Sequence, residues 1–288
     1  MRGDESTVFD GRTCQLGEGP LWHPLREQLF WFDILGQRLL SRDATGPMEW
    51  QFDEHVSAAG WVDRDRLLIA SASRLFTFDL ASGEQNGLVD LELDRPETRS
   101  NDGRADPWGG FWIGTMGLNA EDGAGSIYRY FEGSLERLYA DITITNAICF
   151  SPDRSFAYYS DTVTHLIMRQ PLDDRGWPKG TSEVFADLTA DRLNPDGAVV
   201  DREGYLWNAQ WGASRVARYA PDGSLDRIFL VPALQPSCPA FGGQNLDTLF
   251  VTTAVQGQTN PGASEGLVYE LPAGIRGQAE HRVLLGDA

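Results

Sequence analysis

Cysteine and histidine are scarce in this chain of 288 residues, and their scarcity limits the chemistry available to it. The three cysteines, Cys14, Cys149 and Cys238, are odd in number and far apart, so they do not form a disulfide framework. None has a CxxC spacing, and the four histidines form neither an HExxH motif nor a close pair. The sequence therefore disfavours metal–thiolate sites and histidine-rich zinc sites.

Long apolar segments and positive charge are also lacking. No apolar run approaches the ~20 residues that a membrane span requires, and the polar first residues contain no apolar core of a signal peptide. A formal net charge of −18 disfavours binding to nucleic acid or to anionic membrane surfaces. We therefore expect a cytoplasmic protein that binds a small molecule, without nucleic-acid or membrane partners.

The sequence does contain a six-fold repeat. A turn followed by an apolar, alternating run recurs at spacings of 38, 44, 45, 49 and 44 residues, measured between Leu29, Leu67, Phe111, Phe156, Tyr205 and Leu249. A period of about 40–50 residues with several short strands per unit is typical of a β-propeller. We predict an all-β chain in which residues 1–288 form a single domain, a six-bladed β-propeller around a central channel.

Two further series of short runs predict four strands in each blade. The runs that follow the repeat are Gln37–Arg42, Arg74–Asp79, Ser126–Phe131, His165–Gln170, Ser214–Tyr219 and Leu267–Leu271. The candidate outer strands are Met48–Phe52, Gly87–Leu91, Leu135–Tyr139, Ser182–Phe185, Leu225–Val231 and His281–Leu285. Alternation and Asp/Gly turns favour strands throughout. The segment Val8–Cys14 is a further candidate, which would close the ring by pairing with the last blade.

A polar position recurs about ten residues before each repeat residue. The six residues there are Glu18, Ser57, Asn101, Asn146, Asp196 and Cys238. Because the first strand of each propeller blade lines the channel, we expect these side chains to converge at one mouth. The carboxylate and amide oxygens of four of them suit a divalent cation: Ca²⁺, Mg²⁺, Mn²⁺, Zn²⁺ or Fe²⁺. The alternative is that these side chains simply cap turns where the blades begin.

Several motifs, in this order, carry a family resemblance: GEGPLW, RSNDGRADPWGGFWIGTM, TNAICFSPD with YYSDT, PDGAVVDREGYLWNAQWG, and the segment Pro239–Thr253. Together they resemble the gluconolactonase family that includes regucalcin, also called senescence marker protein, over nearly the whole chain. The resemblance implies a six-bladed propeller and metal-dependent hydrolysis of a sugar lactone.

The resemblance also implies a ligand set. Glu18, Asn146 and Asp196 match the family's three metal ligands. The cation would polarise the lactone as a Lewis acid, and water would attack the carbonyl carbon. Asp196 is the favoured general base, and a metal-bound hydroxide is the competing source of the nucleophile.

Other residues match the family's substrate contacts. Arg99 and Asn101 match a pair that orients the substrate, and Glu121 is the match for an acidic residue on a rim loop, with Asp122 as its competitor. Trp211 is either a stacking partner for the sugar ring or a core residue. We expect Asp161 to have a structural role in a turn.

Three other functions fit the pattern. One is a non-enzymatic interaction propeller, although the GH…WD signature of WD repeats is absent. Another is a calcium-binding regulator that uses the same metal site without turnover. The third is hydrolysis of a different ester, such as an organophosphate or a homoserine lactone. A closed propeller of this size is expected to be a monomer or a weak homo-oligomer.

Overall fold

The computed structural model describes residues 6–286, which form twenty-four strands and one 3-10 turn. The strands of the first three blades are β2 Gly17–His23, β3 Gln28–Asp33, β4 Arg38–Asp43, β5 Gly46–Gln51, β6 Val56–Trp61, β7 Arg66–Ser71, β8 Arg74–Asp79, β9 Gln85–Asp90, β10 Thr98–Ala105, β11 Phe111–Gly117, β12 Gly125–Phe131 and β13 Ser134–Ile142.

The remaining blades follow in the same way. Their strands are β14 Thr145–Phe150, β15 Phe156–Asp161, β16 Leu166–Pro171, β17 Glu183–Asp187, β18 Asn194–Val200, β19 Leu206–Trp211, β20 Arg215–Tyr219, β21 Leu225–Leu230, β22 Pro236–Gly242, β23 Thr248–Thr253 and β24 Val268–Pro272. A 3-10 turn, Thr162–Thr164, separates β15 from β16. No helix within residues 6–286 is long and apolar enough to cross a membrane.

The strands form six antiparallel sheets of four, which confirms the predicted six-bladed propeller. Five sheets consist of four consecutive strands each. The sixth has the order β1-β24-β23-β22, in which β1 is Thr7–Asp10. Its outer strand β1, Thr7–Asp10, pairs with β24 through Thr7 opposite Glu270 and Val8 opposite Tyr269. The prediction that Val8–Cys14 closes the ring by pairing with the last blade is therefore confirmed for Val8–Asp10.

The prediction that His281–Leu285 is the outer strand of the last blade is wrong. Residues 276–286 instead cross the mouth of the channel at which the innermost strands end, and we call them the crossing segment. Val283 donates its backbone N–H to the Trp61 carbonyl at 2.9 Å, and its side chain is fully buried. Val283 thus joins the core between the second and third blades, Leu285 packs against that core while partly buried, and Leu284 is exposed.

The crossing segment binds several blades through polar contacts. The Gln278 amide donates to the carbonyls of Phe150 at 3.1 Å and Val200 at 3.0 Å. The Trp61 indole donates to the Glu280 carbonyl at 2.8 Å. The Glu280 carboxylate pairs with Arg104, and both side chains are buried. Burial would lower the pKa of Arg104, but the Glu280 charge outweighs it and the pKa is raised.

Aromatic side chains fill the wedges between neighbouring blades. Trp112 of β11 lies edge-on to Phe150 of the next blade, with ring centroids 5.5 Å apart. Trp207 of β19 meets Phe241 of the sixth blade in the same way at 5.3 Å. Both tryptophans are fully buried. Such pairs contribute about 0.5–1.5 kcal/mol beyond the area they bury, so they hold the blades at a fixed angle around the channel.

Removing the Glu280 carboxylate should destabilise the fold. Glu280→Ala leaves Arg104 as a buried charge without its partner, so we expect a loss of about 3–5 kcal/mol in the free energy of unfolding, measured by urea denaturation. Glu136→Ala, on the exposed face of β13, is the matched control and should change stability by less than about 0.5 kcal/mol. Equal effects of the two substitutions would contradict a stabilising role for this pair.

Candidate functional site

Every innermost strand carries a bulge at the same level of the channel. Between Glu18 and Leu21, β2 advances three residues while β3 advances two, from Phe32 to Phe30. The other five innermost strands show the same one-residue excess at the corresponding place. A bulge bends its strand and redirects the side chains beside it. The bulges explain why polar side chains leave the sheet plane here and face the axis.

Small residues allow the backbone to crowd this level. Gly19 follows Glu18 with a φ of 53°, and a Cβ there would lie 2.2 Å from the Ser57 carbonyl oxygen. Gly197 follows Asp196, and a Cβ there would lie 2.3 Å from the Cys238 sulfur. Only glycine fits at either position, which is the physical reason for the GEG and PDG motifs.

The bulges surround a cavity of about 590 Å³ at one mouth of the channel. Its polar lining comprises Glu18, Arg99, Asn101, Asn119, Asn146, Thr162, Asp196, Gln235 and Gln256. Its apolar lining comprises Leu16, Leu35, Met116, Leu118, Ala120, Ile144 and Trp211. The cavity therefore combines a charged and amide-rich group of side chains with an apolar wall, and it has room for a small molecule.

Two buried carboxylates lie side by side in this cavity. The side chains of Glu18 and Asp196 are within hydrogen-bonding reach of each other. Burial, and then the charge of Asp102, raise the pKa of Glu18 to about 8. Burial, and then the charge of Glu18, raise the pKa of Asp196 well above its usual range. Without a cation the protein therefore holds protons here near neutral pH, and a bound cation would displace them.

Amide and guanidinium groups complete the polar side of the cavity. Arg99 donates to the Asn101 amide oxygen at 2.7 Å. Asn101 in turn donates to the Thr145 carbonyl at 2.8 Å and, more weakly, to the Asn146 amide oxygen at 3.3 Å. Burial lowers the pKa of Arg99 to about 10, which leaves it cationic at neutral pH. Arg99 and Asn101 thus form one rigid unit beside the carboxylates.

The donor set fits one divalent cation. Within residues 6–286, no three side chains of His, Cys, Asp and Glu gather as a metal centre of those residues alone would require. Glu18 and Asp196 would supply two carboxylates, and the amide oxygen of the buried Asn146 would be the third donor. Three oxygen donors suit hard cations such as Ca²⁺, Mg²⁺ or Mn²⁺ and leave positions open for water and substrate.

Two of the predicted residues lie at the edge of the site. The Glu121 side chain is exposed and accepts hydrogen bonds from Asn119, from its backbone N–H at 3.1 Å and its amide nitrogen at 2.9 Å. Asn119 lines the cavity, whereas Glu121 is outside its lining. Asp122 is also exposed and accepts the Thr143 hydroxyl at 3.2 Å.

Asp161 and Trp211 lie where the sequence suggested. The Asp161 carboxylate accepts the backbone N–H groups of Thr143 and Ile144, both at 3.0 Å, so it holds a turn. Trp211 lines the cavity and also packs against the core cluster of the first two blades. It is therefore a partly buried residue at the edge of the core, and its stacking on a sugar ring stays a prediction.

The structure adds residues that the repeat did not reveal. Asp102 and Arg104 are buried in the channel, and Asp102 accepts the Ile148 N–H at 2.7 Å. Burial raises the pKa of Asp102 to about 6. Asp102 adjoins Asn101 within a bulge, so strand alternation could not place both toward the channel. Ser57 bonds the Ser100 hydroxyl at 2.8 Å, and neither Ser57 nor Cys238 lines the cavity.

A family model described as the SMP-30/Gluconolactonase/LRE-like region matches residues 16–255. The chain belongs to this family. Its membership confirms the resemblance read from the ordered motifs.

Individual members of the family are similar along most of the chain. The L-arabinolactonase of Azospirillum brasilense is 40% identical over 261 residues, which cover 88% of this chain and 85% of that protein. The 6-deoxy-6-sulfogluconolactonase of Pseudomonas putida is 33% identical over 274 residues, with 92% and 94% covered. The crystal structure of a calcium-binding protein, regucalcin, from Agrobacterium tumefaciens matches with a TM-score of 0.94 at 40% identity, covering 98% of each chain.

The raised pKa of Glu18 makes the stability of the cation-free protein depend on pH. In the folded protein the pKa of Glu18 is about 8, whereas its ordinary value is 4.5. The folded state therefore binds more protons between these values, and stability falls as the pH rises. We expect Glu18 to contribute a loss of about 1–2 kcal/mol of unfolding free energy in chelated protein between about pH 6.5 and pH 8.

This pH range contains other titrations, so a matched control is needed. The pKa of Asp102 is about 6, and burial lowers the pKa values of His23, His55 and His281 in the folded protein below their ordinary value of 6.5. The double variant Glu18→Gln/Asp196→Asn has nearly the same shape without the two carboxyl groups and keeps these other groups. Its unfolding free energy, measured by urea denaturation, should fall less over this range than that of the wild type. The same pH dependence in both proteins would contradict the assignment.

Proposed function

We propose that the protein is a carboxylic-ester hydrolase that opens a sugar lactone, an aldonolactone, to the aldonic acid with the help of one divalent cation. The observation that carries the proposal is the buried pair Glu18 and Asp196, with the Asn146 amide beside them in a cavity that also presents Arg99 and Asn101. The names of two relatives, an L-arabinolactonase and a 6-deoxy-6-sulfogluconolactonase, support a sugar lactone as the substrate.

Glu18, Asn146 and Asp196 would hold the cation, which supplies Lewis-acid polarisation of the lactone carbonyl. Ca²⁺, Zn²⁺, Mn²⁺, Mg²⁺ and Fe²⁺ are all candidates, and the all-oxygen donor set favours the harder cations among them. The similar structure of a calcium-binding protein also supports Ca²⁺.

Asp196 is the proposed general base. It removes a proton from water as the water oxygen bonds to the lactone carbonyl carbon. The bond between that carbon and the ring oxygen then breaks, and the proton passes to the ring oxygen to give the hydroxy acid. Burial raises the pKa of Asp196 in the cation-free protein, and a bound cation would lower it and hold the carboxylate in the ionised form that can accept the proton.

Arg99 and Asn101 are proposed to orient the substrate and stabilise developing negative charge. Arg99 uses Nη1 to donate to the Ser100 carbonyl and to Asn101. Its other N–H groups make no hydrogen bond within residues 6–286 and remain available to sugar hydroxyls or to the oxyanion. The apolar wall, with Trp211, suits the C–H face of a sugar ring.

Glu121 is proposed to act through Asn119. Its carboxylate fixes the Asn119 side chain and backbone, and Asn119 lines the cavity where a substrate hydroxyl would lie. In this arrangement Glu121 is a positioning residue at the rim.

A calcium-binding propeller without turnover is the second candidate, because the same three donors serve binding alone and a similar structure is that of a calcium-binding protein. Turnover distinguishes the two. The test is base uptake at constant pH on a panel of five- and six-carbon aldonolactones, with each cation and after chelation. Hydrolysis no faster than the spontaneous rate with every cation would overturn the enzymatic proposal.

Substitutions at the base and the amide ligand test the site. We expect Asp196→Asn and Asn146→Ala each to lower kcat/KM by about 10²–10⁴-fold while thermal unfolding in chelator remains cooperative, since each removes a reacting or cation-binding group. Asn86→Ala, on the exposed face of β9, is the control and should match the wild type. Near-wild-type activity of either site variant would show that the site is assigned wrongly.

A further inference from the structure

A single chain of hydrogen bonds runs through the site from the third blade to the fifth. It begins at Arg99, passes through the amides of Asn101 and Asn146, and reaches the hydroxyl of Thr162 at 2.8 Å from the Asn146 nitrogen. It ends where the Thr162 hydroxyl donates to the Pro195 carbonyl at 2.8 Å. Pro195 immediately precedes Asp196. The series of hydrogen bonds therefore connects Arg99 and Asn101, which are proposed to orient the substrate, to the strand of the proposed base.

The two ends of this chain fix its direction. A guanidinium can only donate and a carbonyl can only accept. Thr162 has one hydroxyl proton, and giving it to the Pro195 carbonyl leaves only an acceptor for Asn146. The group of Asn146 that faces Thr162 must therefore be the NH₂ group. Its oxygen faces the other way, where it accepts the donor of Asn101 at 3.3 Å.

The opposite orientation of the Asn146 amide is disfavoured on both sides. Turning it over would place its NH₂ group against the NH₂ group of Asn101, which also donates to the Thr145 carbonyl. It would also bring its oxygen to the Thr162 hydroxyl, which would then have to leave the Pro195 carbonyl. Turning the amide over therefore loses buried hydrogen bonds that the observed orientation makes, and leaving buried polar groups unpaired is unfavourable.

Thr162 is itself held firmly. Its backbone N–H donates to the Ile144 carbonyl at 3.0 Å, and the preceding residue, Asp161, clamps the backbone of Thr143 and Ile144. The 3-10 turn that carries Thr162 is thus fixed to the segment that enters β14, the strand of Asn146. The hydroxyl has little freedom to follow a reorienting amide.

We propose that Thr162 is a positioning residue that holds the Asn146 amide oxygen on the side away from the Thr162 hydroxyl, where it would join Glu18 and Asp196 as a cation ligand. The Thr162 hydroxyl would thereby control the affinity of the site for a divalent cation. The inference rests on the cation site of the proposed function. Orienting partners of this kind change metal affinity by about 10–100-fold when they are removed.

The test is calorimetric titration of chelator-treated protein with Ca²⁺ and with Mn²⁺. Thr162→Val keeps the shape and removes the hydroxyl, and we expect its dissociation constants to rise about 10–100-fold. Thr164→Val is the matched control on the same turn, because the Thr164 hydroxyl donates to the Asp161 carbonyl at 2.7 Å and lies outside the cavity lining. It should bind both cations like the wild type.

Two further variants separate orientation from packing. Thr162→Ser keeps the hydroxyl without the methyl group and should bind within about threefold of the wild type. In an Asn146→Asp background both terminal atoms of the ligand are oxygens, so adding Thr162→Val should change affinity by less than about threefold. A serine variant as weak as the valine variant, or an equal loss in the aspartate background, would overturn the proposal.

The outcomes also separate this inference from the proposed function. A wild-type chain that binds neither Ca²⁺ nor Mn²⁺ would overturn the inference, and one that binds none of the five candidate cations would overturn the proposed function as well. A wild-type chain that binds a cation and hydrolyses a lactone, with Thr162→Val binding equally well, would overturn the inference alone.

Discussion

The structure of the site depends on one unfavourable interaction, the burial of two carboxylates side by side at the channel axis. Glu18 and Asp196 cannot both be ionised there without a compensating positive charge. One-residue bulges and two obligatory glycines bring them together, and Arg99 supplies only part of the compensation. A site that repels its own ionised state is well suited to capture a cation, because binding relieves the repulsion.

The fold could be predicted almost completely from the sequence, because blade spacing, alternation and turn residues are local signals that repeat. One segment differs from the prediction. His281–Leu285 alternates as an outer strand does, yet it crosses the mouth of the channel at which the innermost strands end, and Thr7–Asp10 takes the outer position instead. Alternation reports only that every second side chain is buried, and it does not say against which surface.

The site was predictable only in part, and the bulges explain the limit. Glu18, Arg99, Asn101, Asn146 and Asp196 all line one cavity, as the recurring position and the family motifs suggested. The position of Asp102 in the channel could not be predicted from alternation, because a bulge lets two adjacent residues face the channel. The proposed role of Thr162 could not be predicted from the sequence, because it depends on the direction of a hydrogen bond, which no residue pattern encodes. Glu121 belongs to a rim loop, where spacing is least informative.

The pairing of β1 with β24 has a consequence for how the protein is made. The hydroxyl of Thr7 bonds the carboxylate of Glu270, 263 residues away along the chain. The ring can therefore close only after residue 270 has left the ribosome, and until then β1 has no partner strand. Contacts this distant in sequence form slowly, so the open ring is the stage at which a nascent chain would be exposed to aggregation or to proteolysis.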